Sequence, residues 1–283
     1  MAQYDQQYTG SVVDQERPRA PRKLAADLLL DLLIIAIVVV VAAFGMVAAI
    51  VAVRAVQLGL EPAEIARLSR GEQLQLIGSV GMFLVLVVQN WLFVAVPVIR
   101  TRLLRREPLA TIGLRAPEPL RLILFGLGLG LLVLIANAIL GLTFSSLGIR
   151  QNQSEQYPLF AGDYAGQALF MLGAAVLVPI GEEVLFRGYV FSVLRRIGQG
   201  RRWGLPAAYL LSALLFGVAH SLAATEGVIA LIVPTVVMGL ALAWGVQRTG
   251  SLLPSIIAHG VNNGVALLAL VTCINNPGIC PGV

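Results

Sequence analysis

Ionisable side chains interrupt three apolar runs in the C-terminal half of the sequence. Glu182, Glu183 and Arg187 lie in one run, and the only two histidines, His220 and His259, lie in two later runs. A charge at the centre of a bilayer costs ~2.5–3.5 kcal/mol on insertion scales, so each of these groups needs a partner or a function. Carboxylates beside imidazoles can activate a water molecule, which makes these runs the place to look for chemistry.

The two glutamates are predicted to have different roles. Residues four positions apart share one face of an α-helix, so Glu183 and Arg187 are predicted to form an ion pair that offsets most of the cost of burial. Glu182 points to a different wall and is free to meet groups from other helices as a general base or proton carrier. A purely structural polar cluster between helices is the alternative interpretation.

Histidine spacing adds two further pairs. Phe216 precedes His220 by one turn, so its ring can pack against the imidazole, and His259 and Asn263 repeat the spacing of four. Asn262 faces elsewhere and is the weaker candidate. At 1.5 Å per residue, Glu182, His220 and Asn263 lie ~20, ~21 and ~18 Å from the predicted cytoplasmic ends of their helices, so the three helices can meet at a common depth. A hydrogen-bonded core histidine remains the alternative for His220.

Composition indicates whether this chain lies in water or in a lipid bilayer. Of 283 residues, 58% are hydrophobic and 12% charged, and the mean hydropathy is +0.85, which excludes a water-soluble globule with its usual ~45–50% apolar share. Seven runs approach the ~20 residues that span a bilayer. We therefore predict an all-α, polytopic membrane helical bundle of about seven transmembrane helices, near Leu28–Val53, Leu76–Val98, Leu120–Leu142, Gln167–Val190, Pro206–Ala223, Gly227–Val246 and Leu252–Cys273.

Positive charge predicts the orientation of the chain. Fifteen Lys and Arg residues fall in loops on one side of the seven runs and four fall on the other, so the N-terminus is predicted to be cytoplasmic and the C-terminus outside. The charge follows the loops and forms no basic face, which excludes nucleic acid as a partner and leaves the lipid bilayer. The excess of arginine over lysine suits a bacterium with a GC-rich genome and hence its plasma membrane.

Four segments are predicted along the chain. Residues 1–23 are a polar, disordered cytoplasmic tail, and residues 24–145 hold the first transmembrane helices. Within them, residues 103–119 are either a segment on the cytoplasmic surface or a linker, and Gly126, Gly128 and Gly130 permit close helix packing. The polar motifs lie in a core at residues 167–270. Residues 274–283 are an outer tail, near which Cys273 and Cys280 are either free thiols or a disulfide.

Three strings resemble the motifs of one family. GEEVLFRGYVF at residues 181–191, FGVAH at 216–220 and RTGSLLPSIIAHGVNN at 248–263 match E-E-x-x-x-R, F-x-x-x-H and H-x-x-x-N of the CPBP intramembrane proteases, the CAAX-protease and bacteriocin-processing or abortive-infection family. The resemblance implies an endopeptidase acting on a protein or peptide substrate. It also implies that Glu182 and His220 activate water while His259 and Asn263 hold the oxyanion, with Glu183, Arg187 and Phe216 as structural support.

The resemblance leaves alternatives open. Glu182, His220 and His259 could bind zinc with water as fourth ligand, although metal-free catalysis is our prediction because no HExxH motif is present. A non-catalytic scaffold or chaperone of the same fold is the second interpretation, and a proton-coupled transporter is the third. Eukaryotic members of the family remove the last three residues of prenylated CAAX proteins. In a bacterium, peptide maturation, immunity to self-made peptides or regulation is expected instead.

Overall fold

The computed structural model describes residues 20–280, and these residues form helices without any β-strand. Ten α-helices follow one another along the chain. They are α1 (Pro21–Leu58), α2 (Pro62–Ile65), α3 (Arg70–Ile99), α4 (Pro119–Ser146), α5 (Tyr164–Leu172), α6 (Val178–Glu182), α7 (Ser192–Ile197), α8 (Gly204–His220), α9 (Val228–Thr249) and α10 (Leu253–Asn275). Three π-helices lie between them at Arg100–Leu104, Gly173–Leu177 and Glu183–Phe191, and three 3₁₀-helices lie at Leu109–Ile112, Gln153–Gln156 and Ser221–Ala223.

Six helices among the described residues are long and apolar enough to cross a membrane. The fourth is a continuous rod that joins α5, α6 and α7 through two π-helices, whereas α8 has 17 residues and is shorter than the usual span. The predicted all-α membrane bundle is therefore confirmed, with α8 as its seventh, shorter helix. The six long spans are Pro21–Leu58, Arg70–Leu104, Pro119–Ser146, Tyr164–Ile197, Val228–Thr249 and Leu253–Asn275.

The first helix begins earlier than the sequence predicts. Pro21 stands in its first turn, where the missing amide proton costs nothing, so the end of the predicted tail at residues 1–23 is helical. Residues 1–19 of that tail lie outside the described residues, as do residues 281–283 of the predicted outer tail. In the rest of that tail Cys280 forms a disulfide with Cys273, the last-turn cysteine of α10.

Helix α4 packs closely against α10. A Cβ atom at Gly126 would lie 2.9 Å from the Pro254 carbonyl oxygen, and one at Gly130 would lie 3.2 Å from the Cα atom of Ala258. A Cβ atom at Gly128 would meet nothing within 4 Å. The expected role in close packing therefore holds for Gly126 and Gly130 but is wrong for Gly128, which faces away from α10. This approach sets where α10 stands in the bundle.

A hydrogen bond and an ion pair hold part of the segment at residues 103–119 against the helix bundle. The Gly113 carbonyl accepts a hydrogen bond from the Leu252 amide at 2.9 Å, which ties the segment to the turn before α10. Glu107 pairs with Arg196 at 2.7 Å. Burial opposes ionisation of Glu107, but the hydrogen bond and charge of Arg196 outweigh it and lower the pKa of this carboxyl. These contacts fix the segment against the start of α10 and the end of α7.

Candidate active site

The two glutamates lie where the fourth span changes its winding. α6 ends at Glu182, and a π-helix of nine residues begins at Glu183, every one of them buried. Runs of π-helix are usually single turns and often lie at functional sites. The backbone here packs directly on α3, because the Gly181 amide donates to Asn90 Oδ1 at 2.7 Å and a Cβ at Gly181 would lie 2.3 Å from that oxygen. Glycine is therefore required beside the carboxylates.

Glu183 joins two helices through one carboxylate oxygen. Its Oε1 accepts a hydrogen bond from Arg187 Nη1 at 2.8 Å, so the predicted ion pair is confirmed. The same Oε1 lies 2.9 Å from Nδ1 of His259 on α10, a contact that sequence spacing could not reveal. All three side chains are at most 1% exposed. Glu183 therefore both neutralises Arg187 and fixes the ring of His259.

Glu182 faces two imidazoles. Its Oε2 lies 3.8 Å from Nε2 of His220 and 3.7 Å from Nε2 of His259. These separations are too long for direct hydrogen bonds, and at such separations a bridging water is the usual link. Among the described residues Glu182 Oε2 is buried without a hydrogen-bond partner. The structure thus brings together Glu182, His220 and His259 from the three helices that the sequence predicted to meet.

Each imidazole has its other nitrogen engaged. His220 Nδ1 lies 2.8 Å from the Phe216 carbonyl oxygen, which only accepts, so Nδ1 carries a proton and Nε2 of the neutral ring is an acceptor. His259 Nδ1 donates to ionised Glu183, so its Nε2 can donate only when both ring nitrogens are protonated. The two rings are thus held differently against the same carboxylate.

Phe216 lies at the centre of this cluster. It is fully buried, and its ring centroid is 4.6 Å from that of His220, as predicted from their spacing. The Arg187 guanidinium lies 3.9 Å over the same ring, and the His259 ring meets it edge-on at 5.8 Å. The Phe216 ring therefore packs against both histidines and covers one face of the Arg187 guanidinium.

Asn263 is held one turn beyond His259. Its Nδ2 donates to the Ala174 carbonyl at 3.0 Å, and its Oδ1 accepts from Asn262 Nδ2 at 3.3 Å. Asn262 in turn accepts from Asn137 of α4 at 2.9 Å. Asn262 was expected to face elsewhere. It does reach α4, but it also contacts Asn263. Asn137 was not a candidate, since a single amide in an apolar run gives no indication of its partner.

The loop at residues 147–163 contacts the loop that follows His220. Asn152 Oδ1 accepts a hydrogen bond from the Thr225 amide at 3.0 Å. The ring of Tyr157 packs on Phe170 with ring centroids 5.0 Å apart. Burial, and then the negative charge of Glu182, raise the pKa of the Tyr157 phenol.

The residues proposed for zinc present their free atoms to one another. Each Nδ1 atom donates to a protein acceptor, as the second ring nitrogen of a metal-bound histidine usually does, and both Nε2 atoms face Glu182 Oε2. The separations of 3.8 and 3.7 Å are slightly longer than the ~3.3–3.5 Å expected between neighbouring ligands of tetrahedral zinc. Glu182, His220 and His259 could therefore hold zinc only after a small closure, and within residues 20–280 no group of three His, Cys, Asp or Glu side chains is close enough as it stands.

One family model matches the part of the chain that holds these residues. Residues 164–265 match the family model described as Rce1-like, type II CAAX prenyl endopeptidase Rce1-like. The chain carries an Rce1-like domain. This domain contains Glu182, His220, His259 and Asn263, whereas α1 to α4 and Asn137 lie outside it. No curated protein and no solved structure matches the chain. This match and the six long apolar helices among the described residues support an integral membrane protein, and residues 164–265 resemble a protease family.

Proposed function

We propose that this protein is an intramembrane endopeptidase that hydrolyses a peptide bond in a membrane-associated protein or peptide. The observation that carries the proposal is Glu182 Oε2, which is buried without a hydrogen-bond partner among residues 20–280 and is faced at 3.8 and 3.7 Å by the Nε2 atoms of two histidines. An acceptor in that position needs a donor, and a water molecule between Glu182 and His220 supplies it. Such a water is also aligned for deprotonation.

The chemistry balances with the residues present. Water donates its hydrogens to Glu182 Oε2 and to Nε2 of neutral His220, and its oxygen attacks the scissile carbonyl carbon. As the new C–O bond forms, one water proton passes to Glu182. Glu182 then gives this proton to the leaving nitrogen as the C–N bond breaks. His220 keeps the water in line throughout, because its Nδ1 is committed to the Phe216 carbonyl.

His259 and Asn263 are proposed to stabilise the oxyanion. His259 would donate from Nε2 when its ring carries both protons, and Asn263 has one amide hydrogen left after its bond to the Ala174 carbonyl. Donors fixed in advance stabilise the developing charge without a reorganisation cost, and a buried site strengthens them. The Glu183 contact, at 2.9 Å, keeps the His259 ring pointed at the cluster.

A search for new protein termini tests this proposal without a known substrate. A deletion strain is complemented with the parent or with Glu182→Gln, and membrane-protein termini are compared by mass spectrometry. We expect termini that occur only with the parent, and peptides spanning these sites should be cleaved by the purified protein in proteoliposomes. Glu118→Gln, which changes an exposed carboxylate, is the matched control and should cleave like the parent. Identical termini in both strains would favour the scaffold alternative.

A further inference from the structure

Three asparagines form a directed chain of hydrogen bonds between α4 and the Rce1-like domain. Asn137 Nδ2 donates to Asn262 Oδ1 at 2.9 Å, Asn262 Nδ2 donates to Asn263 Oδ1 at 3.3 Å, and Asn263 Nδ2 donates to the Ala174 carbonyl at 3.0 Å. Every amide in this chain donates in the same direction.

The last acceptor sets that direction. A backbone carbonyl only accepts, so Asn263 must turn its NH₂ group towards Ala174 and its oxygen towards Asn262. Asn262 must then turn its NH₂ group towards the Asn263 oxygen, and Asn137 must turn its NH₂ group towards the Asn262 oxygen. With the carboxamide of Asn263 clamped at both ends, its second amide hydrogen has a fixed direction. If the Asn263 amide were reversed, its oxygen would face the Ala174 carbonyl oxygen, and that carbonyl would receive no hydrogen bond from Asn263.

Asn137 is poorly explained as a stabilising residue. Its Oδ1 is buried and has no hydrogen-bond partner among residues 20–280. The side chain lines a groove of about 340 Å³ between α4 and α9, whose other walls are apolar, among them Val133, Met238 and Trp244. A buried carbonyl without a partner disfavours the folded state, and an apolar residue of similar size would suit this groove better.

We propose that Asn137 is a positioning residue for the reaction, acting through Asn262 to hold the free amide hydrogen of Asn263 towards the oxyanion. This inference rests on the proposed function and extends it to a helix outside the family match at residues 164–265. It predicts that Asn137 influences the transition state more than it stabilises the fold.

Asn137→Leu separates these two effects. We expect kcat to fall on the order of tenfold, a part of the ~10²–10³ that loss of an oxyanion donor costs. KM, the yield of folded protein and the melting temperature should stay close to the parent's, because the lost bond to Asn262 Oδ1 is offset by removal of the unpaired Asn137 carbonyl. Thr143→Val is the matched control, since within residues 20–280 this exposed hydroxyl of α4 bonds the Ile139 carbonyl alone. It should leave kcat unchanged. Asn137→Ala gives a second test without added bulk.

A double-mutant cycle decides whether Asn137 acts through Asn263. In an Asn263→Ala background, Asn137→Leu and Asn137→Ala should cause no further loss of kcat, because the amide they position is gone. An equal fold-loss in both backgrounds, or parental kcat in the single variants, would overturn the inference. Glu182→Gln is assayed in parallel. Persistent turnover in that variant would instead refute the proposed function, so the two failures are distinguishable.

Discussion

At the residue scale, Glu183 Oε1 is the atom on which fold and site both depend. It accepts from Arg187 within its own helix and from His259 on α10, and all three groups are buried. Removing one member of such a group leaves an uncompensated buried charge, which is far more costly than losing a surface pair. In the described part of the chain Glu182, one residue earlier, forms no comparable ion pair or hydrogen bond through Oε2, so substitutions at the two positions should have different effects.

Glu182→Ala should abolish cleavage with little loss of folded protein. Arg187→Ala should lower the yield of folded protein, because Glu183 would stay buried without its cation, a penalty of ~3–5 kcal/mol. Cleavage assays and size-exclusion chromatography in detergent measure both effects. Equal loss of folded protein in the two variants would contradict this division between a catalytic and a structural glutamate.

Asn263→Asp should lose most activity near neutral pH, by about 10²–10³-fold, the usual cost of one oxyanion donor. An ionised carboxylate cannot donate, and it would also face the Ala174 carbonyl oxygen that now accepts from Asn263 Nδ2. The measurement is kcat at pH 7 with the parent as control. A loss of only a few-fold, with KM unchanged, would remove Asn263 from the oxyanion site.

Activity should survive strong chelators, and the purified protein should carry no stoichiometric metal. The physical reason is that Glu182 Oε2 lies 3.8 and 3.7 Å from the two Nε2 atoms, a spacing that a bridging water spans without an ion. Metal analysis of the active protein, before and after chelation, checks this. One equivalent of zinc that is lost together with activity in His259→Ala would instead assign the ion a role as Lewis acid.

At the element scale, α4 packs closely against α10 at Gly126 and Gly130. Gly126→Ala should destabilise the protein by about 1–3 kcal/mol, since the new methyl would lie 2.9 Å from the Pro254 carbonyl oxygen and push α10 away. Gly128→Ala is the matched control two residues along, where nothing lies within 4 Å, and it should not destabilise. Thermal unfolding in detergent measures the difference. Equal stability of the two variants would refute this packing argument.

Contacts within one helix were predictable from the sequence, and contacts between helices were not. The spacing of four predicted the Glu183–Arg187 pair and the packing of Phe216 on His220, because local helix geometry determines both. The bond from Glu183 to His259 depends on how two spans cross, which periodicity does not encode. The π-helix after Glu182 was missed for a related reason, since no residue pattern in this run distinguishes it from an α-helix.

One between-helix contact did have a sequence signal. Asp31 interrupts the first apolar run, and the structure buries it against Arg100 and the hydroxyl of Tyr189, which lies in the π-helix that begins at Glu183. Arg105 donates to the same hydroxyl at 2.9 Å. An acidic residue within a membrane span needs a partner, and this argument could have been applied to Asp31 as it was to Glu182.

At the scale of the whole molecule, the loops differ in charge between the two ends of the bundle. Fifteen Lys and Arg residues fall on one side of the seven runs, and we expect that side to be cytoplasmic. A reporter active only outside the cytoplasm should be active when fused after Val283 and inactive after Arg202. The disulfide between Cys273 and Cys280 agrees with an oxidising location for the C-terminal end. The opposite reporter pattern would show that the predicted topology is inverted.

The shared oxygen of Glu183 also constrains how such a protein could evolve. Because Arg187 and His259 both depend on it, its loss would remove the fold together with the activity. Among the described residues, neither Glu182 nor His220 joins two buried charged groups in this way. A descendant that gave up proteolysis and survived as a membrane scaffold would therefore discard Glu182 or His220 first and keep the Glu183–Arg187 pair. Retention of that pair in a relative would then be a record of ancestry rather than a sign of enzymatic activity.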